Sequence, residues 1–174
     1  WNREFMAGLS KSQVNGLLKH ECLHLVFGHT TERRKDPHII WNYGTDLAIN
    51  STIPKHELPK GGLIPGEKLR LDEDQKSNMS NEELEKFEKL SNLIASLPAN
   101  KTSEYYFNKL ISDEDIKNYL EEMEGSSSVS IGFDEHDGWD KMSEEEKELL
   151  QGKIKELVKE AAEEADNRNW GSVS

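Results

Sequence analysis

The chain has 174 residues, with 34 acidic against 22 basic side chains and a formal net charge of −12. Such a surface repels phosphate backbones and anionic lipid, which argues against nucleic-acid or membrane-surface binding. Hydrophobic residues at 34% and charged residues at 32% allow one modest core, in one domain or one domain with an appendage.

The first ten residues read as an extended or turn segment feeding a helix. Ser10 followed by Gln13 matches a capping box. Apolar residues then recur at Val14, Leu17, Leu18, Cys22, Leu25 and Val26, a helical stripe running to about Thr30 with Gly28 loosening its end. A second helix is expected to start at Asp36 as N-cap with Pro37 in its first turn. Residues 38–51 are mostly apolar and should be buried. Pro54, Pro59, Gly61, Gly62, Pro65 and Gly66 then mark a loop that wraps over other structure.

Beyond residue 71 the composition turns polar and acidic, with a weak helical period through Leu84, Phe87 and Leu90. Thr102–Leu110 reads as an amphipathic helix whose Tyr105, Tyr106 and Phe107 form a packing cluster, and a short helix follows around Glu114–Glu122. Gly125 and the serines 126–128 form a flexible joint. Ser143 caps a long charged helix to about Ala165, whose Leu149, Ile154, Leu157, Val158, Ala161 and Ala165 make one packing stripe. The expected organisation is a core over residues 1–70, a polar helical insertion over 71–130, and a C-terminal segment and helix over 131–174 packing on that core. Cys22 is the one cysteine, so no intrachain disulfide can form. With no signal peptide and no run near the roughly 18 apolar residues of a membrane span, a cytoplasmic protein is expected. The chain opens at Trp1 without a methionine, which reads as a piece of a longer one.

The chemistry lies in His20-Glu21-Cys22-Leu23-His24, a His-Glu-x-x-His spacing on a helix. At about 100° per residue, side chains four apart lie nearly above one another, so both imidazoles reach one metal ion. Glu21 sits one position round and can act on a water that the ion activates. Zinc suits two imidazoles plus a carboxylate or a third imidazole, with a position left for water. Asp46 is the expected third ligand: it lies in a helix otherwise fit for burial, and a buried lone carboxylate is costly unless paired or metal-bound. The bland alternative is a bond to a backbone amide or to Arg33 or Arg34. Asn42 and Asn50 lie one turn either side of Asp46 and suit hydrogen bonding to the ligands.

Other candidates carry alternatives. On a continuous helix His29 lies about 140° from His24 and about 180° from His20, so it should point away from their metal, unless a break at Gly28 rescues it. His136 could approach as ligand or oxyanion stabiliser, or be a surface histidine in an acidic loop. His38 and His56 read as structural or exposed. Tyr43 is either an electrophilic helper or core. Cys22 should face the apolar side and pack.

The segment from His20 to His29 (His-Glu-Cys-Leu-His-Leu-Val-Phe-Gly-His), with Trp41-Asn42-Tyr-Gly-Thr-Asp46-Leu-Ala-Ile-Asn50, resembles the predicted metal-dependent peptidases of bacteria and phages. In that family the metallopeptidase domain commonly precedes a von Willebrand A-like domain. Trp1–Phe5, Leu58–Leu63 and Asp134–Trp139 resemble further blocks. The chain departs from the family's pattern over 66–130, and at Gly44, where a better helix former such as alanine is expected. The resemblance implies a zincin fold and peptidase activity, with His20, Glu21, His24 and Asp46 at the motif positions. It also implies a strand-bearing segment before Trp1 and a von Willebrand A-like partner domain after Ser174.

The fold expected is therefore α+β but mainly α-helical, a zincin-like domain with a small or partly missing sheet. The function expected is zinc-dependent hydrolysis of peptide bonds in a peptide or protein substrate. The rival is a zinc-stabilised protein-interaction or adaptor module without catalysis. A fourth protein ligand closing the site would favour the rival, because structural zinc sites are saturated.

Overall fold

Side-chain caps set where most of the helices begin. Ser10 Oγ accepts from the Gln13 amide at 3.2 Å while Gln13 Oε1 accepts from the Ser10 amide at 3.0 Å, the reciprocal pair that opens α2 (Lys11–Val26). The same device starts α4 (Glu73–Asn78) from Asp72 and α5 (Asn81–Ser96) from Ser80, and Thr102 caps α6 (Ser103–Ile111). Each such cap is worth about 1 kcal/mol, enough to fix a boundary in a polar sequence. At α3 (His38–Asn50) the expected Asp36 cap does not form; Pro37 holds the N-cap position and makes no side-chain capping bond. The segment near the N-terminus expected to be extended or a turn instead forms a short helix, α1 (Arg3–Ala7).

The computed structural model describes residues 3–29, 31–124 and 143–167. They form eight α-helices and a 3-10 turn at Lys55–Glu57, closing with α7 (Glu114–Glu124) and α8 (Glu144–Asn167). The protein is mainly helical, and no strand occurs among the described residues. The expected small sheet is not found there.

The main core forms where α3 meets α5, α6 and α7. Ile40, Trp41, Tyr43 and Leu47 of α3 pack with Phe87, Leu90 and Ile94, with Tyr106, Phe107 and Leu110, and with Ile116, Tyr119 and Leu120. The polar stretch after residue 71 thus supplies much of the apolar interior through its periodic large side chains. A smaller cluster of Ile49, Ile53 and Leu58, flanked by Leu23 and Ile64, lies at the C-terminal end of α3.

Two helices depart from the usual arrangement of apolar side inward. The residues α2 buries are Gly16, His20 and His24, while Leu18, Leu25, Val26 and, just past its end, Phe27 are exposed. Cys22 is exposed as well, so its expected packing role is corrected: of the apolar stripe only Val14 and Leu17 are half-buried, while the histidine stripe faces the protein. On α8, Leu149, Leu157 and Val158 are likewise exposed. The packed stripe expected there is not formed by those residues.

Gly44 explains its own presence in a helix interior. A Cβ placed there would sit 3.0 Å from both the Phe107 amide nitrogen and the Ser103 carbonyl oxygen, so glycine is what lets α3 and α6 touch backbone to backbone. Alanine would improve helix propensity by up to about 1 kcal/mol but overpack the contact by about 1–3 kcal/mol. Gly44→Ala is therefore expected to lower stability by about 1–2 kcal/mol net in a urea titration; an unchanged or higher midpoint would mean that α6 yields freely.

Candidate metal centre

Residues 16, 20 and 24 lie one above another on α2, and this strip is what the helix turns inward. Gly16 makes the approach possible: a Cβ there would lie 2.1 Å from the Glu57 carbonyl oxygen. The backbone of the 55–57 turn therefore occupies the space a side chain would need. Lys19 Nζ pairs with Glu57 Oε2 at 2.5 Å, and Gln13 Nε2 donates to the Leu58 carbonyl at 3.5 Å. Together these contacts fix the height and rotation of α2.

Opposite the strip, α3 presents Asp46 and, one turn later, Asn50. His20 Nε2 and His24 Nε2 lie 3.0 Å apart, and Asp46 Oδ1 is 3.7 Å from the first and 3.3 Å from the second. Both imidazoles are fully buried and Asp46 is nearly so. Among the described residues these three form the group of histidine, cysteine and carboxylate side chains that could hold a metal ion, their donor atoms lying within 4.8 Å of one another. Two imidazole nitrogens and a carboxylate oxygen converging in the interior match a divalent cation, and without one the buried carboxylate would be costly.

The surrounding residues fall into clear places. Asn50 Oδ1 lies 2.8 Å from His20 Nδ1, and Asn50 Nδ2 donates to the Leu63 carbonyl at 3.0 Å, with all three residues buried. Asn42 turns away and pairs with His38 Nδ1 at 3.3 Å. Glu21 is half-buried beside His20. Tyr43 belongs to the core, where burial raises the phenol pKa well above its ordinary value and keeps it protonated. His56 is exposed. His136 lies outside the described residues.

His29 does not point away, and the reason is the end of the helix. α2 stops at Val26, Gly28 takes a positive φ of 65°, and the His29 amide donates to the His24 carbonyl at 3.0 Å. The ring folds back edge-on to His24, with centroids 5.2 Å apart, and packs edge-on to Trp41 at 5.7 Å. Its Nε2 bonds Ser103 Oγ at 3.0 Å, and Trp41 Nε1 donates to its backbone carbonyl at 3.1 Å. Burial, reinforced by His24 and Arg33 nearby, pushes its pKa down to about 3, so this imidazole is neutral. His29 buttresses His24 and is not part of the three-residue group. Arg33 closes the same turn by a forked pair onto Glu104, with Nη2 at 2.7 and 2.8 Å from the two carboxylate oxygens. Gly16 and Ser103 thus shape the site without a sequence signal that separates them from ordinary helix residues, whereas Gly28 marked the break that brings His29 in.

A family model described as "Putative metallopeptidase domain" matches residues 1–167. No curated protein matches the chain, and no solved structure does.

The Gly16 contact makes a direct test of how the strip is held. Gly16→Ala must push α2 off the 55–57 turn, and it is expected to weaken divalent-metal binding by roughly tenfold or more in a chelator competition. Wild-type affinity in that variant would show that the turn does not set the position of the histidines.

Proposed function

Because the chain belongs to the Putative metallopeptidase domain family, we propose that it is a zinc-dependent peptidase of zincin type, with His20, His24 and Asp46 as metal ligands and Glu21 as general base. The observation that carries this reading is the convergence of His20 Nε2, His24 Nε2 and Asp46 Oδ1 at one buried point. Ligand atoms about 2.0–2.1 Å from a tetrahedral zinc are separated by about 3.3 Å. The separations of 3.0, 3.3 and 3.7 Å bracket that value. Three protein ligands leave a fourth position, the arrangement of catalytic rather than structural zinc.

A zinc ion held there by His20, His24 and Asp46 would supply Lewis acidity and would lower the pKa of a bound water toward about 7. The chain's own groups do the rest. Glu21 follows His20 on α2 and reaches a different azimuth from the two ligands. Its carboxylate takes the proton of the attacking water and returns it to the departing amine. Asn50 orients His20, while His29 packs against His24; neither exchanges protons with substrate in this scheme. The substrate is a peptide or protein, consistent with a surface of net charge −12 that disfavours nucleic acid and anionic lipid. No helix among the described residues is long and apolar enough to cross a membrane, and cytoplasmic residence is part of the proposal.

One observation favours the rival, a zinc-stabilised interaction module. Both histidines are fully buried and the Asp46 side chain is only 10% exposed, so a substrate needs part of the cover to move. Two measurements divide the readings. Purified without chelators, the wild type is expected to carry about one zinc by plasma mass spectrometry and Asp46→Ala to lose it. Glu21→Gln is expected to keep the zinc and to lose peptidase turnover by at least about 100-fold. Full turnover in Glu21→Gln would sink the mechanism, and zinc retention with no turnover in wild type across a broad peptide library would favour the module.

A further inference from the structure

The geometry points to Asn50 as a positioning residue that locks His20 into its Nδ1–H tautomer and so commits Nε2 to the metal. The assignment follows from a chain of hydrogen-bond roles with one consistent solution. At its far end stands the Leu63 carbonyl, which can only accept. The Asn50 atom 3.0 Å from it must therefore be the donating amide nitrogen, Nδ2. Turning the amide over would set two acceptor oxygens against each other in a buried place, where an unmade hydrogen bond is costly. Oδ1 consequently faces His20 Nδ1 at 2.8 Å, and an amide oxygen can only accept. His20 Nδ1 must carry the hydrogen. In the neutral ring Nε2 is then bare, and that is the atom turned toward His24 Nε2 and Asp46 Oδ1.

The chain of three groups also ties the ligand to its support. Asn50 sits in the last turn of α3, Leu63 lies in the Pro- and Gly-rich loop that follows, and His20 is on α2. The loop therefore reaches the metal centre through its backbone, and the function of Leu63 here belongs to its carbonyl. Metal-ligating histidines commonly donate their second ring nitrogen in this way, and losing such a partner typically costs 10–100-fold in affinity. The affinity part of the inference rests on the proposed metal site; the tautomer part does not.

The test uses the full chain with 15N-labelled histidine, chelator-stripped and zinc-loaded, read by two-bond proton–nitrogen correlation, with His20 assigned by the signals lost in His20→Gln. At mildly alkaline pH the stripped wild type is expected to show His20 protonated on Nδ1, and the loaded protein to keep that proton while Nε2 shifts on ligation. Asn50→Ala should move His20 toward the Nε2–H form and weaken zinc binding about 10–100-fold by chelator competition. Asn50→Asp keeps an acceptor toward His20 but sets a carboxylate oxygen against the Leu63 carbonyl, so it should keep the Nδ1–H signature even where stability falls. A wild-type His20 protonated on Nε2, or ligation through Nδ1, overturns the assignment whatever the variants do. An unchanged Nδ1–H signature in Asn50→Ala, or its loss in Asn50→Asp, overturns the positioning role. Absence of zinc affinity alongside an intact Nδ1–H signature would instead count against the metal-site reading and leave the tautomer assignment standing.

Discussion

The structure turns on the burial of a polar strip. The residues α2 buries fully are Gly16, His20 and His24, while its leucines and valines are at most half-buried. A helix seated in this way gains little from the hydrophobic effect on that face, so its position depends on directional contacts. Those contacts are specific: the Glu57 backbone against Gly16, the Asn50 amide against His20, the Asp46 carboxylate between the two imidazoles. A cation at their meeting point would satisfy the carboxylate and both ring nitrogens at once, which no apolar substitution of similar volume could do. The same logic places the buried acid on α3, the most buried helix, because a ligand set needs a rigid support.

Rigidity comes from the large core behind α3. Trp41, Leu47 and Ile40 interlock with α5, α6 and α7, and Gly44 brings the α3 and α6 backbones to contact distance. Trp41 serves both regions, packing against Phe107 on one side and donating its indole N–H to the His29 carbonyl on the other. The residues that hold the fold and those that frame the metal centre are therefore joined through single side chains.

How much of this could be read from the sequence depends on the kind of signal. The Ser10–Gln13 capping box, the spacing of His20 and His24, and the anomaly of a carboxylate at position 46 in an apolar helix are local patterns, and each corresponds to a real feature of the fold. Asn50 was legible too, since it lies one helical turn from Asp46. The orientation of α2 was not. Hydrophobic periodicity marks which residues share a face but assumes the apolar face is the buried one, and here it is the histidine face. His29 points away only on a continuous helix; Gly28, with its positive φ, supplies the break that turns it back toward His24. Gly16 and Gly44 act through backbones distant in sequence, and nothing in their neighbours announces this. A sheet was expected through family likeness, not through any strand pattern in the chain.

The clasp at the end of α2 bears on the order of assembly. Arg33 to Glu104 spans 71 positions and His29 to Ser103 spans 74. Contacts of that separation form only after intervening chain has been brought together, which makes them slow relative to the local turns of a helix. The histidine helix is thus synthesised before α6, whose Glu104 and Ser103 lock the turn that follows it. His20 and His24 are held at first by the local turns of α2, while the contacts that seat His29 and Arg33 wait for α6. The burial of the two imidazoles is, on this schedule, completed late rather than early.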